Sequence, residues 1–447
     1  MSIEETQRAV YDLLTAEDDG RICRDIPEEA CNAQPRNFTR HVASLAATKT
    51  GDGLVDPKLV LSWLLGALGA PAWMVGLLVP LREAGALLPQ LFIAASVRAL
   101  PQRKWVWAAG SAVQGLALFG MAAAALRLDG AAAGGVILAL LALFAVARAA
   151  CSVSYKDVLG KTVSKATRGT ATGTASSIAA ALVLGFGALL SLGLLDRSVA
   201  TIAAVLAVGG GLWLMAAALF ATLAEQPGAT GGGGNPIAVA RDQIALLWRD
   251  PQLARFIAAR GLLIATALAP PYLLALAGRD AGGDAGSDGG RELGQLGLFV
   301  VASALAGMAG GYLWGRLSDK SSRKVLMLAA AVAALVLAAA AAIGFLAPDL
   351  LGAAAVAPPL LFVLMIAYQG VRLGRSTHIV DMAAREERAN YTALSNTVVG
   401  LLLLAGGLFG LLAQVAGEAA VLAAFAAMCA LAVPAAAGLK EVQRGDG

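Results

Sequence analysis

The stretch GMAGGYLWGRLSDKSSRK, residues 307–324, decides how the whole chain is read. Gly307, Gly311 and Gly315 recur at every fourth position of an apolar run, a spacing that lines them on one helical face where a second helix can approach closely. A short polar turn follows, carrying Arg316, Asp319, Lys320, Arg323 and Lys324, and a second apolar run begins directly after it. Two apolar helices joined by a turn of net positive charge form a membrane hairpin, and the positive-inside rule puts that turn in the cytoplasm.

The rest of the chain fits the same solvent. Of 447 residues 58% are apolar and 14% charged, more apolar surface than one water-soluble core can hide. Residues 131–147 and 325–345 carry no charge, which excludes a soluble helical solenoid with its charged outer face. The expected fold class is an all-α polytopic membrane protein. Cys23, Cys31, Cys151 and Cys429 lie far apart without metal-ligand spacing, and His41 and His378 are too few for a metal cage, so neither a disulfide scaffold nor a metal site is expected. The net charge of +4 is concentrated in loops and reads as membrane orientation, not as nucleic-acid binding.

Residues 1–36 hold nine acids against four arginines and show no basic start followed by an apolar core, so no signal peptide is expected. Ile3, Val10, Leu13 and Leu14 suit one face of a short amphipathic helix on the cytoplasmic surface. The first span is placed at 37–65. It takes Arg40, His41, Lys49, Asp52, Asp56 and Lys58 into or near the bilayer, with Gly51, Gly53 and Pro57 expected to break it. The competing run 59–81 would leave 82–97 too short to span. Further spans are expected at 73–97, 105–126, 131–154, 170–192 and 199–223. Residues 224–252 read as a flexible linker with a short surface helix. Six more spans follow at 253–277, 293–314, 325–346, 351–382, 391–415 and 419–437, before a tail at 438–447. Two bundles, 37–223 and 253–437, result.

A shift of 220 residues lays Arg103 and Lys104 on Arg323 and Lys324, Lys165 on Arg385, Arg168 on Arg388, Thr172 on Thr392 and Arg40 on Arg260. The order Gly315, Leu317, Asp319, Arg323, Lys324 resembles the loop signature of the major facilitator superfamily. The resemblance covers roughly residues 37–437. It implies two six-helix halves, twelve spans in all, and a gating loop at Gly315, Asp319, Arg323 and Lys324. It also implies secondary active transport of a small molecule by alternating access about a central site. The first-half loop RALPQRK, residues 98–104, has Ala99 where Asp319 stands, so an aspartate-based lock is not carried over to that half. Helix 5 lacks the proline of the drug/proton antiporter signature, against the drug-export branch.

Loop charges give the orientation. Arg98, Arg103, Lys104, Lys156, Lys161, Lys165, Arg168, Arg316, Lys320, Arg323 and Lys324 fall in turns of one side. Asp129 with Arg127, Asp196 with Arg197, Asp349, Glu418 and the acidic stretch 279–292 fall in turns of the other. An even number of spans then leaves both termini in the cytoplasm, with the chain in the cell inner membrane.

Charges inside spans carry the functional argument, because an ionisable group at bilayer depth costs a few kcal/mol and faces a cavity or a partner. Arg82 and Glu83 lie about ten residues into helix 2, about 15 Å down. Neighbours on a helix diverge by about 100°, so partners for both must come from other helices, as packing pairs or as pathway groups. Arg148, in the run AVARAA, resembles the arginine of the fourth-helix signature of proton-coupled members. Ala150 and Cys151 replace the expected Gln and Gly, and snorkelling to the interface is the alternative. Gln369, Arg372 and Arg375 share one face of helix 10, a polar stripe suited to a pathway or to a helix end outside the bilayer. Breaks in helix 1 and, at Pro270-Pro271, in helix 7 point to a central site.

The candidate substrate residues are therefore Arg82, Arg148, Arg260, Gln369, Arg372 and Arg375, and the arginine excess implies an anion. Proton coupling is assigned to Glu83, with Asp52 and Asp56 as competitors. Gly160-Lys161-Thr162 has Tyr155 where a phosphate loop needs glycine, and Asp280, Asp284 and Asp288 do not have EF-hand spacing. No catalytic triad is recognisable, so no enzyme and no cofactor are expected. The chain reads as a monomeric transporter, and the alternative is a membrane sensor or scaffold acting through its N-terminal segment.

Overall fold

The computed structural model describes residues 3–15, 26, 28–196, 198–228, 230, 250–278, 289–318, 320–383 and 388–443. Most of the expected linker, the stretch 279–288 and Asp319 lie outside them.

Every span is helical, and ten of the described helices are long and apolar enough to cross a bilayer. The other two spans are each split in two. Span 1 is Gln34–Leu54 followed by Val60–Ala67, and span 2 is Ala72–Leu87 followed by Gln90–Arg98. Pro57 and Pro89 sit in the two gaps, where a missing N–H and a disfavoured helical conformation at the preceding residue interrupt the ladder. Gly51 and Gly53 were expected to join in breaking span 1 but stay inside its helix. A Cβ on Gly51 would lie 2.9 Å from Trp213 Nε1 and one on Gly53 2.3 Å from a Val183 methyl, so these glycines admit neighbouring side chains.

Spans 3 to 6 are Lys104–Ala125, Gly130–Thr162, Lys165–Ser191 and Val199–Ala221. Span 7 comprises Pro251–Leu262, Ala265–Leu268 and Pro270–Gly278. Its breaks fall at Leu263–Ile264 and Ala269, ahead of the proline pair, because proline at the first turn of a helix gives up no bond. Spans 8 to 12 are Gly289–Ser318, Ser322–Leu346, Ala357–Met382, Arg388–Gly406 with Leu408–Ala416, and Glu418–Ala437. Two halves of six spans result, an all-α membrane fold.

The four-residue glycine stripe of span 8 is not its tight face. Gly311 and Gly315 have nothing within 4 Å of a built Cβ, whereas a Cβ on Gly310 would lie 2.7 Å from Gln369 Cβ. Trp314, on the same side as Gly310, is buried and donates from Nε1 to Ile366 O at 2.8 Å, which fixes the rotation of the helix. Large apolar side chains such as Leu335 (72% exposed) and Leu182 (55%) instead face outward, as lipid-facing surface must.

Among the described residues, two close crossings between the halves lie at one end. Span 2 crosses span 11 where a Cβ on Gly76 would lie 2.6 Å from Gly410 Cα, and span 5 crosses span 8 where one on Gly297 would lie 2.5 Å from Ser191 N. Both crossings lie at the end away from the termini. The largest apolar core joins both halves there, whereas the terminal end has separate cores, around Phe256 and Val325 in one half and Trp107 and Phe220 in the other. Among the described residues the two halves therefore share a core at the far end and keep separate cores at the terminal end.

Segments flanking each half tie down that terminal end. The helix Ile3–Thr15 packs on span 1 through Tyr11, which is buried and meets Phe38 edge-on at 5.2 Å, while Leu13 is 81% exposed. Of the expected face Leu14 packs beside Tyr11, while Val10 and Leu13 are exposed. Glu225, just after span 6, accepts from the backbone N–H groups of Arg103 at 3.1 Å and Lys104 at 2.8 Å. Asp157 pairs with Arg103 at 2.5 Å and Lys161 at 2.8 Å. After span 12, Glu441 accepts from Ser321 Oγ at 2.5 Å and lies 3.7 Å from Arg323, and Lys324 N donates to Ser321 Oγ at 3.1 Å. Against the expectation for the cysteines, Cys31 is disulfide-bonded, while Cys151 and Cys429 are free. Spacing along the chain is a poor guide to a bridge, because only Cα separation in space limits it.

Candidate functional site

A cavity of about 400 Å³ lies between the two halves. The break in span 1 brings Asp52, Asp56 and Lys58 to its wall, and span 2 adds Arg82 and Glu83. Span 4 adds Arg148 and Ser152, and span 10 adds Tyr368, Gln369, Arg372 and Arg375. Eight of the residues singled out from sequence therefore converge on one space, although they come from four helices. Arg260 is the exception: it lines a smaller adjoining recess together with Glu83, Arg372 and Arg375.

The N-terminal half holds its charges in a network. Asp52 accepts from Arg82 at 3.0 Å through one oxygen and from Arg148 at 2.8 Å through the other, so one carboxylate bridges two guanidinium groups. Arg82 also sits 5.2 Å over the Phe144 ring and Arg148 5.4 Å over that of Trp213, contacts worth about 0.5–2 kcal/mol each. Lys49, the expected neighbour of Asp52, donates instead to Ser176 Oγ at 2.7 Å. Snorkelling does not describe Arg148. The group turns into the cavity and pairs with Asp52, while its helix runs on to Thr162. The expected end at 154 was too early because Lys156, Asp157 and Lys161 continue the helix in water.

The remaining groups are less committed. Asp56 Oδ1 accepts the Lys58 backbone N–H at 2.7 Å, a local turn bond that fixes the break. Among the described residues, Glu83, Arg372 and Arg375 form no ion pair. Lys58 reaches across the halves to lie 3.9 Å over the Tyr368 ring, and Arg372 lies 5.9 Å from the same ring. His378, which the polar stripe of helix 10 seemed to include, is buried against Phe256 and bonded to Ser322 Oγ at 2.9 Å, away from the cavity.

Sequence reading missed Lys58 and Tyr368 as site residues, and also the aromatic platforms Phe144 and Trp213. A lysine directly after the proline of a broken span was the available signal for the first. The aromatic residues gave none, being indistinguishable from core side chains until the helices are placed.

Among solved structures, a mutant form of nucleoside transporter NupG superposes with a TM-score of 0.68 at 14% identity, covering 90% of this chain and 99% of that one. A POT family transporter in complex with a thioalcohol-conjugated peptide gives 0.67 at 10%, covering 93% and 97%. A D-xylose-proton symporter gives 0.66 at 11%, covering 92% and 99%. The chain has the major facilitator superfamily fold. No protein-family model and no curated protein matches it. In this fold the cavity described above is the space between the two halves.

Proposed function

We propose that the chain is a secondary active transporter that moves a small anionic solute across the cell inner membrane by alternating access, coupled to protons. Both termini and the end with separate cores then face the cytoplasm, in keeping with the basic turns at that end. The observation that carries this reading is the pair of arginines on span 10. Arg372 and Arg375 line the inter-half cavity, one turn apart on one face, and neither forms an ion pair with a carboxylate among the described residues. Guanidinium groups stay charged and bind oxyanions in bidentate fashion, so two of them facing a water-accessible cavity form an anion site. The far-end glycine crossings are the contacts that must open for release on the other side.

Glu83 is the coupling group in this reading. It shares the recess with Arg372 and Arg375, so an ionised Glu83 and a bound anion compete for the same positive charge. A proton on Glu83 releases that charge to the solute, and the two are carried together. Asp52 is less suited to the task because two arginines hold it.

The test is flux in proteoliposomes containing the purified chain, screened with anionic and neutral metabolites under an imposed pH gradient. Arg372→Ala should abolish anion uptake at unchanged reconstitution. A solute that is cationic or neutral, and is carried equally well by Arg372→Ala, overturns the reading.

A further inference from the structure

The recess beside the main cavity has a volume of about 30 Å³, room for two or three oxygen-sized atoms. Arg260, Arg372 and Arg375 line it, and Glu83 is the one acid on its wall. Leu263, Val399 and Leu403 supply apolar walls. Arg260 is only 7% exposed. It donates to Ser395 Oγ and, at 3.3 Å, to Asn396 Oδ1, but its Nε has no hydrogen-bond partner. Among the described residues none of the three arginines forms an ion pair. Buried charge without a counter-charge is costly and is tolerated where a ligand supplies the missing partner.

With Glu83 protonated, as in the coupled cycle above, three guanidinium groups line the recess with no carboxylate against them. A monocarboxylate would leave two of those charges unopposed, whereas a dianion leaves one. We propose that the recess is the headgroup site for a doubly charged oxyanion, and that the transported solute is a phosphate monoester whose organic part lies in the main cavity. Tyr368, half-buried on the wall of that cavity, is the aromatic side chain an organic group can meet there. The bidentate fork of arginine matches two oxygens of one phosphoryl group, and Arg260, anchored by Ser395 and Asn396, positions its fork before the ligand arrives. This assignment rests on the anion-transport reading and names the class of anion.

Phenyl phosphate and benzoate share a ring and differ in the charge of the headgroup, so the pair isolates the claim. Binding of both to the purified full chain is measured by titration calorimetry and by thermal shift, with sulfate as a ring-free dianion and chloride as a monoanion control. Phenyl phosphate should bind at least tenfold more tightly than benzoate, and sulfate should stabilise the protein where equimolar chloride does not. Arg260→Lys keeps the charge but loses the fork, and should weaken phenyl phosphate at least tenfold while eluting as the wild type does on gel filtration. Arg316→Gln, in the exposed turn, should change nothing. The wild-type comparison stands even if Arg260 variants fail to fold. Equal affinity for benzoate and phenyl phosphate, both lost in Arg372→Ala, overturns the dianion site but leaves anion transport standing. Phenyl phosphate binding that survives Arg260→Lys and Arg260→Gln unchanged overturns the location. Absence of binding by every probe, with uptake undiminished in Arg372→Ala, overturns both readings.

Discussion

The two halves treat their intramembrane arginines in opposite ways. In the first, Arg82 and Arg148 converge on Asp52 and rest on aromatic faces, so both charges are spent on holding spans 1, 2, 4 and 6 together. In the second, Arg260, Arg372 and Arg375 face the cavity system with no acid of their own half beside them. The contrast is sharper because the repeat is real: positions 220 apart, such as Glu83 with Ser303, Arg148 with Tyr368 and Ser152 with Arg372, all line the same cavity. A two-fold scaffold thus carries a one-sided site. One half supplies rigid structure and the other supplies uncommitted charge, a division that lets a ligand bind without first breaking an internal salt bridge.

The contrast breaks most visibly at Asp52. Asp52→Asn leaves two half-buried arginines without their acid and should cost about 1.5–3 kcal/mol, read as a fall in thermal unfolding temperature in detergent. A variant as stable as the wild type would mean that the N-terminal network is not structural. Arg372→Ala, in contrast, should leave unfolding within about 0.5 kcal/mol of the wild type while removing about 1.5–3 kcal/mol of solute binding. A large loss of stability there would place Arg372 with the N-terminal arginines. Glu83→Gln tests the link between the halves. Net accumulation driven by a pH gradient should fall to equal concentrations on both sides, while exchange of labelled solute persists. Continued gradient-driven accumulation would make Glu83 a packing residue and return the coupling role to span 1. The smallest effect is expected at the terminal end, where Glu441→Gln weakens the partly exposed contact with Arg323 and should cost about 1 kcal/mol or less. A change in transport larger than that figure would make the tail a gate.

How far the sequence could be read is best seen residue by residue. Spans 3, 5, 6, 8, 9, 11 and 12 announce themselves as uncharged runs, since hydrocarbon tolerates little else. Charge at depth singled out Arg82, Glu83, Arg148, Arg372 and Arg375, because each would be too costly without a purpose. Spacing failed where geometry in three dimensions matters. The span 8 glycines looked like a packing stripe, yet the rotation fixed by Trp314 puts Gly310 against span 10 and Gly311 outward. Arg148 could have reached for the interface by its position along the helix, and only the packing of span 4 against spans 1 and 2 turns it to Asp52 and the cavity.

Composition and periodicity determined that this is an all-α membrane protein of twelve spans in two related halves, because backbone groups in lipid admit no other solution and a repeat leaves its offset in the chain. They also determined which side chains are too costly to be idle. Only the tertiary structure decided which of those charges are paired: Asp52 and Arg148 are 96 positions apart, and nothing local to either says that they will lie 2.8 Å from each other. Electrostatic energy depends on separation in space, so the distinction between a spent arginine and a free one exists only once the helices have packed.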